Sequence, residues 1–274
     1  MMTQSSGLVE GNVTWKVASE TIISLGTARA VLMQLAHPLV AAGVYEHSRF
    51  MTDPIGRALQ TFQLEQFLMF GNSTQSHHAA RTINRLHHHV HGTLKSNAGQ
   101  YNVGTRYDAH DPALLLWVFA TLVDTILLTY PLFIQPLQEE AQERYYQENK
   151  QVARMMGIPS HAIPEDLAQL RAYVHSMVYS EQLAATPESR ELAQAVLYPP
   201  INDVLRPLMH LNQYVTSALL PEPIRQIFDL PWSHKRQQLF DISTATLRTV
   251  VPHIPMTLRV LPMTRRLINE QRPA

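Results

Sequence analysis

Residues 52–94 read TDPIGRALQTFQLEQFLMFGNSTQSHHAARTINRLHHHVHGTL, and they predict two consecutive helices. Asp53 followed by Pro54 is typical of a helix start, because an acidic cap precedes a proline in the first turn. Gly71-Asn72 is typical of a helix end, which gives a first helix of about 17 residues. The second helix begins directly after this break.

The first of these helices carries a polar face inside an apolar sequence. Arg57, Gln60 and Thr61 stand at positions i, i+3 and i+4, so a cation, an amide and a hydroxyl share one side of the helix. Leu64 lies close by on the same side. Such a face is unusual for a core helix and marks a candidate site.

The second helix is predicted from about Ser73 to Leu94 and holds six of the chain's 14 histidines. Its apolar residues recur at helical spacing. They are Ile83, Leu86, Val90 and Leu94. His87 falls on the side of these residues, so we expect it to point inward. His91, one turn further, is the other histidine that this register places near the inner face.

The neighbouring histidines give a contrast to His87. His88 and His89 are turned from it by roughly 100° and 200°, which directs them to the flank or to solvent.

Two interpretations of an inward histidine such as His87 are open. It is either a buried neutral imidazole with a backbone partner or a ligand of a metal or a haem, since neutral imidazole is the commonest protein donor to iron and zinc.

Composition limits the classes of protein that need to be considered. The chain has 274 residues, of which 45% are hydrophobic, enough for a packed core, and 22 basic residues balance 22 acidic ones. With no long run of like charge, we expect no nucleic-acid partner. The absence of cysteine excludes disulfides, iron–sulfur clusters, thiolate haem ligation and covalent haem attachment. Any iron must be held by nitrogen or oxygen.

The segment from Ala113 to Ile134 is apolar and long enough to span a bilayer. It opens with Asp111-Pro112, holds Asp124 near its middle, and lacks flanking Lys or Arg. We therefore expect it to be the buried central helix of a soluble bundle, since a carboxylate in mid-membrane is costly. The first residues show no signal peptide, so we expect a cytoplasmic protein.

The remaining apolar patterns are also helical, and no stretch alternates with period two. The sequence predicts an all-α protein with one domain over residues 1–274, in which residues 1–13 form a loose arm. The expected helices are Thr14–Ala36, a short one from Pro38 to about Ser48, Leu137–Met156, Pro164–Ser180, Pro187–Leu197, short helices within 199–231, Ser233–Val251 and a tail helix Met256–Asn269. Residues 95–110 are expected to be a polar loop. The tail helix is either a solvated end or a surface that touches lipid.

Several familiar active-site motifs are missing. The sequence has no GxGxxG, GxxxxGK[ST], GxSxG or HExxH, which removes support for nucleotide binding, a serine hydrolase or a zincin. No glutamate is followed by a histidine three residues later, as a di-iron bundle would require. His87 and His91 could share a metal, but a third ligand is not evident. Haem needs only one protein ligand and fits these residues better.

Long motifs follow one another along almost the whole chain. They are GTARAVLMQLAHPLVAAGV at 26–44, His47-Ser48-x-Phe50-x-x-Asp53-Pro54-x-Gly56-Arg57-x-x-x-Thr61, His87-x-x-Val90-x-Gly92, YDAxDPxLLxWVxATL at 107–122, Tyr145-Tyr146-x-Glu148, Gly157-Ile158-Pro159 and Leu230-Pro231-Trp232. Together they resemble the catalytic domain of the MpaB and rubber oxygenase (latex clearing protein) family. This resemblance implies a multi-helix bundle, similar to the globin-like core of latex clearing protein, that encloses a haem b.

The resemblance also implies roles for individual residues. His87 matches the proximal iron ligand, and Arg57 and Thr61 match residues that lie beside the haem. The rubber-cleaving members carry a distal lysine where this chain has Gln60, and a neutral amide is a poor iron ligand compared with an amine. We therefore expect a distal site that holds water or stays open, and a substrate other than rubber.

The expected function is an oxygenase that cleaves a C=C bond of an apolar, isoprenoid or lipid-like substrate with dioxygen, supplied with electrons by an unidentified donor. Arg57, Thr61 and Gln60 are the expected catalytic residues, His87, Arg57, Thr61 and His91 the cofactor-binding ones, and His87 the metal ligand. Glu65, one turn after Thr61, is the candidate general base, with Glu46 as the other on spacing alone. The alternatives are a non-catalytic haem- or lipid-binding protein with the same fold, and a helical domain without cofactor.

Overall fold

Helices account for nearly all regular structure in the computed structural model, which describes residues 13–199, 204 and 206–270. The α-helices are α1 (Val13–Ala18), α2 (Thr27–Leu35), α3 (Pro38–His47), α4 (Pro54–Phe70), α5 (Ser73–His87), α6 (Pro112–Phe133), α7 (Glu139–Met155), α8 (Leu167–Val178), α9 (Pro187–Leu197), α10 (Arg206–Leu219), α11 (Glu222–Ile227), α12 (His234–Val250), α13 (Met256–Arg259) and α14 (Pro262–Glu270). Short 3-10 helices cover Thr21–Gly26, Arg49–Met51, Ser160–Ala162 and Val251–His253. The predicted all-α class is confirmed.

Side-chain caps fix where the site helices begin. The carboxylate of Asp53 accepts a hydrogen bond from the backbone N–H of Gly56 (2.9 Å) at the start of α4, and Pro54 occupies the first turn. Asn72 forms a capping box with Gln75 at the start of α5. Each cap pairs backbone groups that a helix end leaves open. The predicted starts of both helices and the 17-residue length of α4 are confirmed.

The centre of the bundle is α6. This helix packs against α2, α8, α12 and the first 3-10 helix, and its largest side chains are fully buried. They include Trp117, Tyr130 and Phe133. The helix is long and apolar enough to cross a membrane on length and composition alone, but 67% of its most apolar stretch is buried by the rest of the chain. That burial agrees with the predicted central position.

An ion pair with a buried arginine joins α2 to α6. Arg29 of α2 donates from Nη2 to the Asp124 carboxylate (2.7 Å), from Nη1 to the Thr125 hydroxyl (2.5 Å) and from Nε to the Leu219 carbonyl (2.8 Å). The Arg29 side chain is 5% exposed. Because a buried charge is costly unless paired, these bonds explain how the most apolar helix tolerates Asp124.

The helices α2 and α6 approach each other closely where α2 begins. A Cβ atom on Gly26 would lie 2.6 Å from a methyl carbon of Thr125 and 2.7 Å from that of Thr129. Any larger residue at position 26 would therefore push the two elements apart. The small residue allows the close packing that brings Arg29 within reach of Asp124.

The structure contradicts the predicted course of the second site helix. α5 ends at His87 instead of continuing to Leu94. Residues His91–Thr93 form strand β1, which pairs antiparallel with β2 (Arg106–Asp108) inside the stretch predicted as a loop. Gly92 is a poor helix former, and pairing with β2 gives its backbone groups partners that a helix would otherwise supply. Leu86, predicted to face the core, is 47% exposed.

Other predicted boundaries also need correction. The single helix expected from Thr14 to Ala36 is divided into α1, a 3-10 helix and α2. The expected tail helix is divided into α13 and α14, because Pro262 disfavours helical backbone in the residue before it. The predicted arm lies outside the described residues except Val13, where α1 begins, and part of the 199–231 segment also lies outside them.

The ion pair yields a stability prediction. Replacement Arg29→Met should lower the free energy of unfolding by about 3 kcal/mol, because it leaves the Asp124 charge without its buried partner. The measurement is urea denaturation followed by circular dichroism. Arg266→Met is the control, since the exposed Arg266–Glu270 pair is screened by solvent and should contribute far less to stability. A loss below about 1 kcal/mol for Arg29→Met would contradict the assignment.

Candidate functional site

The side chain of Arg57 is held in place by hydrogen bonds to Thr61 on its own helix and to Ser48, which precedes that helix. Its Nη1 donates to the hydroxyl of Thr61 one turn later, and its Nε donates to the hydroxyl of Ser48 (3.2 Å). The Thr61 hydroxyl in turn donates to the Arg57 carbonyl (3.0 Å). Arg57 and Thr61 therefore lie on one face of α4, as predicted, and the hydrogen bonds give the guanidinium a defined position.

Glu65 continues this face one turn beyond Thr61. Its side chain is partly buried, and desolvation raises the pKa of its carboxyl group to about 7, while the charge of Arg57 opposes the shift. A carboxyl group with that pKa can hold or release a proton near neutral pH. Gln60 is half-buried beside Arg57, as the helical spacing requires.

His87 is the last residue of α5 and is half-buried. Its Nδ1 atom is buried and has no hydrogen-bond partner among the described residues. Desolvation lowers the pKa of this imidazole, helped by His110 and Arg57 and opposed by Asp108. The ring is therefore neutral at pH 7 and keeps a nitrogen lone pair for a ligand.

Packing of α4 against α5 brings these predicted residues together. α5 lies chiefly on α4, and the charge of Arg57 acts on both Glu65 and His87. A cation, a neutral imidazole and a titratable carboxyl group therefore share one region although they come from two helices. This arrangement can stabilise negative charge, hold one proton and supply one nitrogen donor.

His91 does not occupy the position that the helical register predicted. It is exposed on β1, opposite Asp108. Because α5 ends at His87, His91 does not lie one helical turn beyond it. His88 and His89 are exposed, as predicted. The buried Nδ1 agrees with the inward register of His87, whereas its function as a ligand stays a prediction.

The β-hairpin contributes a histidine to the site that the sequence did not predict. His110, just after β2, places its ring 6.1 Å from that of His87 and 6.3 Å from that of His88, both nearly perpendicular. Its backbone N–H donates to the Asp108 carboxylate (2.8 Å). The Asp-x-His spacing of residues 108–110 is a local signal for this turn. The prediction of a polar loop over residues 95–110 did not make use of it. Ser48, which binds Arg57, was noted only as part of a motif.

Glu46 has a different environment from Glu65. Burial alone would raise the pKa of its carboxyl group, but hydrogen bonds from Lys95 and Tyr107 and the charges of Lys95 and His47 lower it overall. The ion pair with Lys95 spans 2.8 Å. A carboxylate held ionised in this way is a weak candidate for a general base at neutral pH, which favours Glu65.

The donor set fits a cofactor that brings most of its own ligands. Across residues 13–199, 204 and 206–270, no group of three His, Cys, Asp or Glu side chains is arranged to hold a metal ion. One buried, neutral imidazole nitrogen without a partner is instead available at His87. A b-type haem needs a single such ligand, so the residues present fit it.

Comparison with known proteins agrees with the motifs. An uncharacterized protein of Mycobacterium tuberculosis and one of Mycobacterium bovis are each 25% identical to this chain over 236 residues, which cover 82% of it and 89% of the relative. No solved structure matches the chain. Residues 15–249 match the family described as "ER-bound oxygenase mpaB/B'/Rubber oxygenase, catalytic domain". The chain therefore belongs to this family of oxygenase catalytic domains.

Proposed function

We propose that this protein is a haem b-dependent oxygenase that cleaves a C=C bond of an apolar, isoprenoid or lipid-like substrate with dioxygen. The observation that carries the proposal is the buried Nδ1 of His87, which lacks a partner among the described residues and lies within the field of Arg57. A neutral imidazole is the group that ligates a b-type haem. The oxygenase family supports the reaction class.

The chemistry is divided between the cofactor and the side chains. Haem, when bound, supplies a redox-active iron that activates dioxygen. One dioxygen molecule and one C=C bond give two carbonyl groups, which balances without further electrons. An electron donor, still unidentified, is needed only to reduce the cofactor.

We also propose that α13 contacts a membrane surface, where an apolar substrate would be found. The side chains of Met256 (55%) and Leu258 (77%) on this helix are exposed.

Arg57 and Thr61 have complementary roles in this proposal. The guanidinium of Arg57 stabilises negative charge as it develops on oxygen or pairs with a carboxylate of the cofactor. Thr61 and Ser48 fix its orientation through the hydrogen bonds described above. Because the guanidinium stays charged over the working pH range, its contribution does not depend on protonation.

Gln60 and Glu65 complete the proposed site on α4. The amide of Gln60 can donate a hydrogen bond but binds metals weakly, so it would not itself ligate the iron of a bound haem. Glu65 holds a proton at its carboxyl oxygen and can exchange it with the substrate near neutral pH. Helical spacing places both residues on the same side of α4 as Arg57 and Thr61.

The competing function is a non-catalytic haem- or lipid-binding protein with the same fold. Oxygen uptake distinguishes the two, because only the oxygenase consumes dioxygen faster with squalene than with squalane, its saturated counterpart. The reduced, haem-loaded protein is the species to be measured. The raised pKa of the Glu65 carboxyl group supports the oxygenase, because perturbed pKa values cluster at catalytic sites.

The first prediction from this proposal concerns the iron ligand. Purified protein supplied with haem should show a Soret band, acid acetone should extract the pigment, and His87→Ala should abolish binding, because the proposed iron ligand is removed. His88→Ala and His91→Ala are the controls and should bind haem as wild type does, since both side chains are exposed. Retention of haem by His87→Ala, or its loss in His91→Ala alone, would refute the assignment.

The second prediction concerns the distal side. The resting ferric protein should be high-spin or water-ligated and should bind cyanide readily, because Gln60 is a poor ligand. Gln60→Lys should shift the absorption spectrum toward a low-spin, six-coordinate form and slow cyanide entry at least about 10-fold, since a neutral amine ligates iron. Gln63→Lys, on the exposed side of α4, is the control. A wild-type spectrum that is already low-spin with two nitrogen ligands would contradict this.

The third prediction concerns Glu65. Its carboxyl pKa near 7 lies above the ordinary value of 4.5, so the folded state binds more protons between these values and its stability falls as pH rises through them. Glu65→Gln should remove this slope, which urea denaturation at a series of pH values measures. Glu139→Gln, on the exposed face of α7, should not. An unchanged slope in Glu65→Gln would show that the carboxyl group titrates normally.

A further inference from the structure

The segment that follows His87 is tied to the hairpin by backbone hydrogen bonds. The N–H of Val90 donates to the carbonyl of His87 (2.9 Å), and the N–H of Ala109 donates to the carbonyl of Val90 (2.9 Å). α5 itself buries only Ser76 and Ala79 fully and packs chiefly on α4. The C-terminal end of α5 is therefore positioned through the hairpin as well as through α4.

Tyr107 lies across the hairpin where it meets α3. It pairs with Gly92 between the strands and is 4% exposed. A Cβ atom on Gly92 would lie 2.6 Å from the Tyr107 hydroxyl oxygen and 2.8 Å from Cζ, so only glycine leaves room for the ring. On the other side, a Cβ atom on Gly43 of α3 would lie 3.1 Å from Val90. Ring, strand and helix are thus in close contact.

The hydroxyl of Tyr107 connects this packing to two charged or titratable side chains of α3. It donates to Glu46 Oε2 (2.8 Å) and lies 3.2 Å from His47 Nε2. Lys95 holds the other oxygen of Glu46 at 2.8 Å. Desolvation and Glu46 raise the pKa of Tyr107, which therefore remains a donor at neutral pH. A hydrogen bond to a carboxylate is stronger than one between neutral groups.

We infer that Tyr107 is a positioning residue, which Glu46 and His47 fix against Gly92 so that the hairpin holds His87 in its place at the end of α5. His87 has no anchoring hydrogen bond at its buried Nδ1 among the described residues, so its position depends on backbone and ring contacts. The same hairpin supplies one of those contacts through His110. The role toward the cofactor rests on the proposed function, whereas the role toward the backbone does not.

Hydrogen exchange and haem release test this inference. In the cofactor-free protein, Tyr107→Phe should speed exchange of the Val90 and Ala109 amides about 10-fold or more, because one charge-assisted hydrogen bond is lost, while α6 amides exchange as in wild type. The haem-loaded variant should release haem to apomyoglobin faster by a similar factor. Glu46→Gln, which keeps an acceptor oxygen, should remain close to wild type, and Glu46→Ala should resemble Tyr107→Phe.

The control is Tyr45→Phe, which removes another tyrosine–glutamate hydrogen bond, from α3 to Glu191 of α9 (2.9 Å), and leaves the Tyr107 hydroxyl with its partners. It should alter neither the exchange nor the release. Wild-type exchange of both hairpin amides in Tyr107→Phe, or an equal acceleration throughout α6, would overturn the inference. Failure of the wild-type protein to take up haem would refute the proposed function instead, and the exchange rates would still decide the role of Tyr107.

Discussion

The ion pair between Arg29 and Asp124 is the constraint on which the bundle depends. A carboxylate in the middle of the most apolar helix needs a buried partner, which Arg29 supplies, and the carbonyl of Leu219 accepts a further hydrogen bond from the same guanidinium. These bonds link α2, α6 and the end of α10 in a fixed arrangement. α3 follows α2 directly and carries Glu46 and His47, so the position of the core helices is transmitted to the hairpin beside His87.

The candidate site combines a cation, a carboxyl group and an imidazole, all of which cost free energy when they are removed from water. Hydrogen bonds to Thr61 and Ser48 fix Arg57. Glu65, whose carboxyl pKa is raised, lies two turns further along α4. The charge of Arg57 also acts on the neutral imidazole of His87 on α5. A structural core would avoid this collection because each polar group costs free energy when desolvated. The chain belongs to an oxygenase family, and haem ligation is the proposal that uses all of these groups.

Local sequence signals predicted much of this arrangement. The cap at Asp53, the proline after it and the break at Gly71 determine α4, so the register of Arg57, Gln60, Thr61 and Glu65 followed directly. The end of α5 could not be predicted in this way. Val90 and Leu94 continue a helical period by coincidence, and only pairing with β2, distant in sequence, decides that the chain becomes a strand.

Resonance Raman spectroscopy of the ferrous, haem-loaded protein can show whether His87 ligates the iron. If it does, the spectrum should contain an iron–imidazole stretching band that shifts when natural iron is replaced by 54Fe. In His87→Gly the band should vanish and return when free imidazole is added, because the added ring can fill the space and supply the nitrogen. An isotope-sensitive band that persists unchanged in His87→Gly without added imidazole would show that a residue other than His87 ligates the iron.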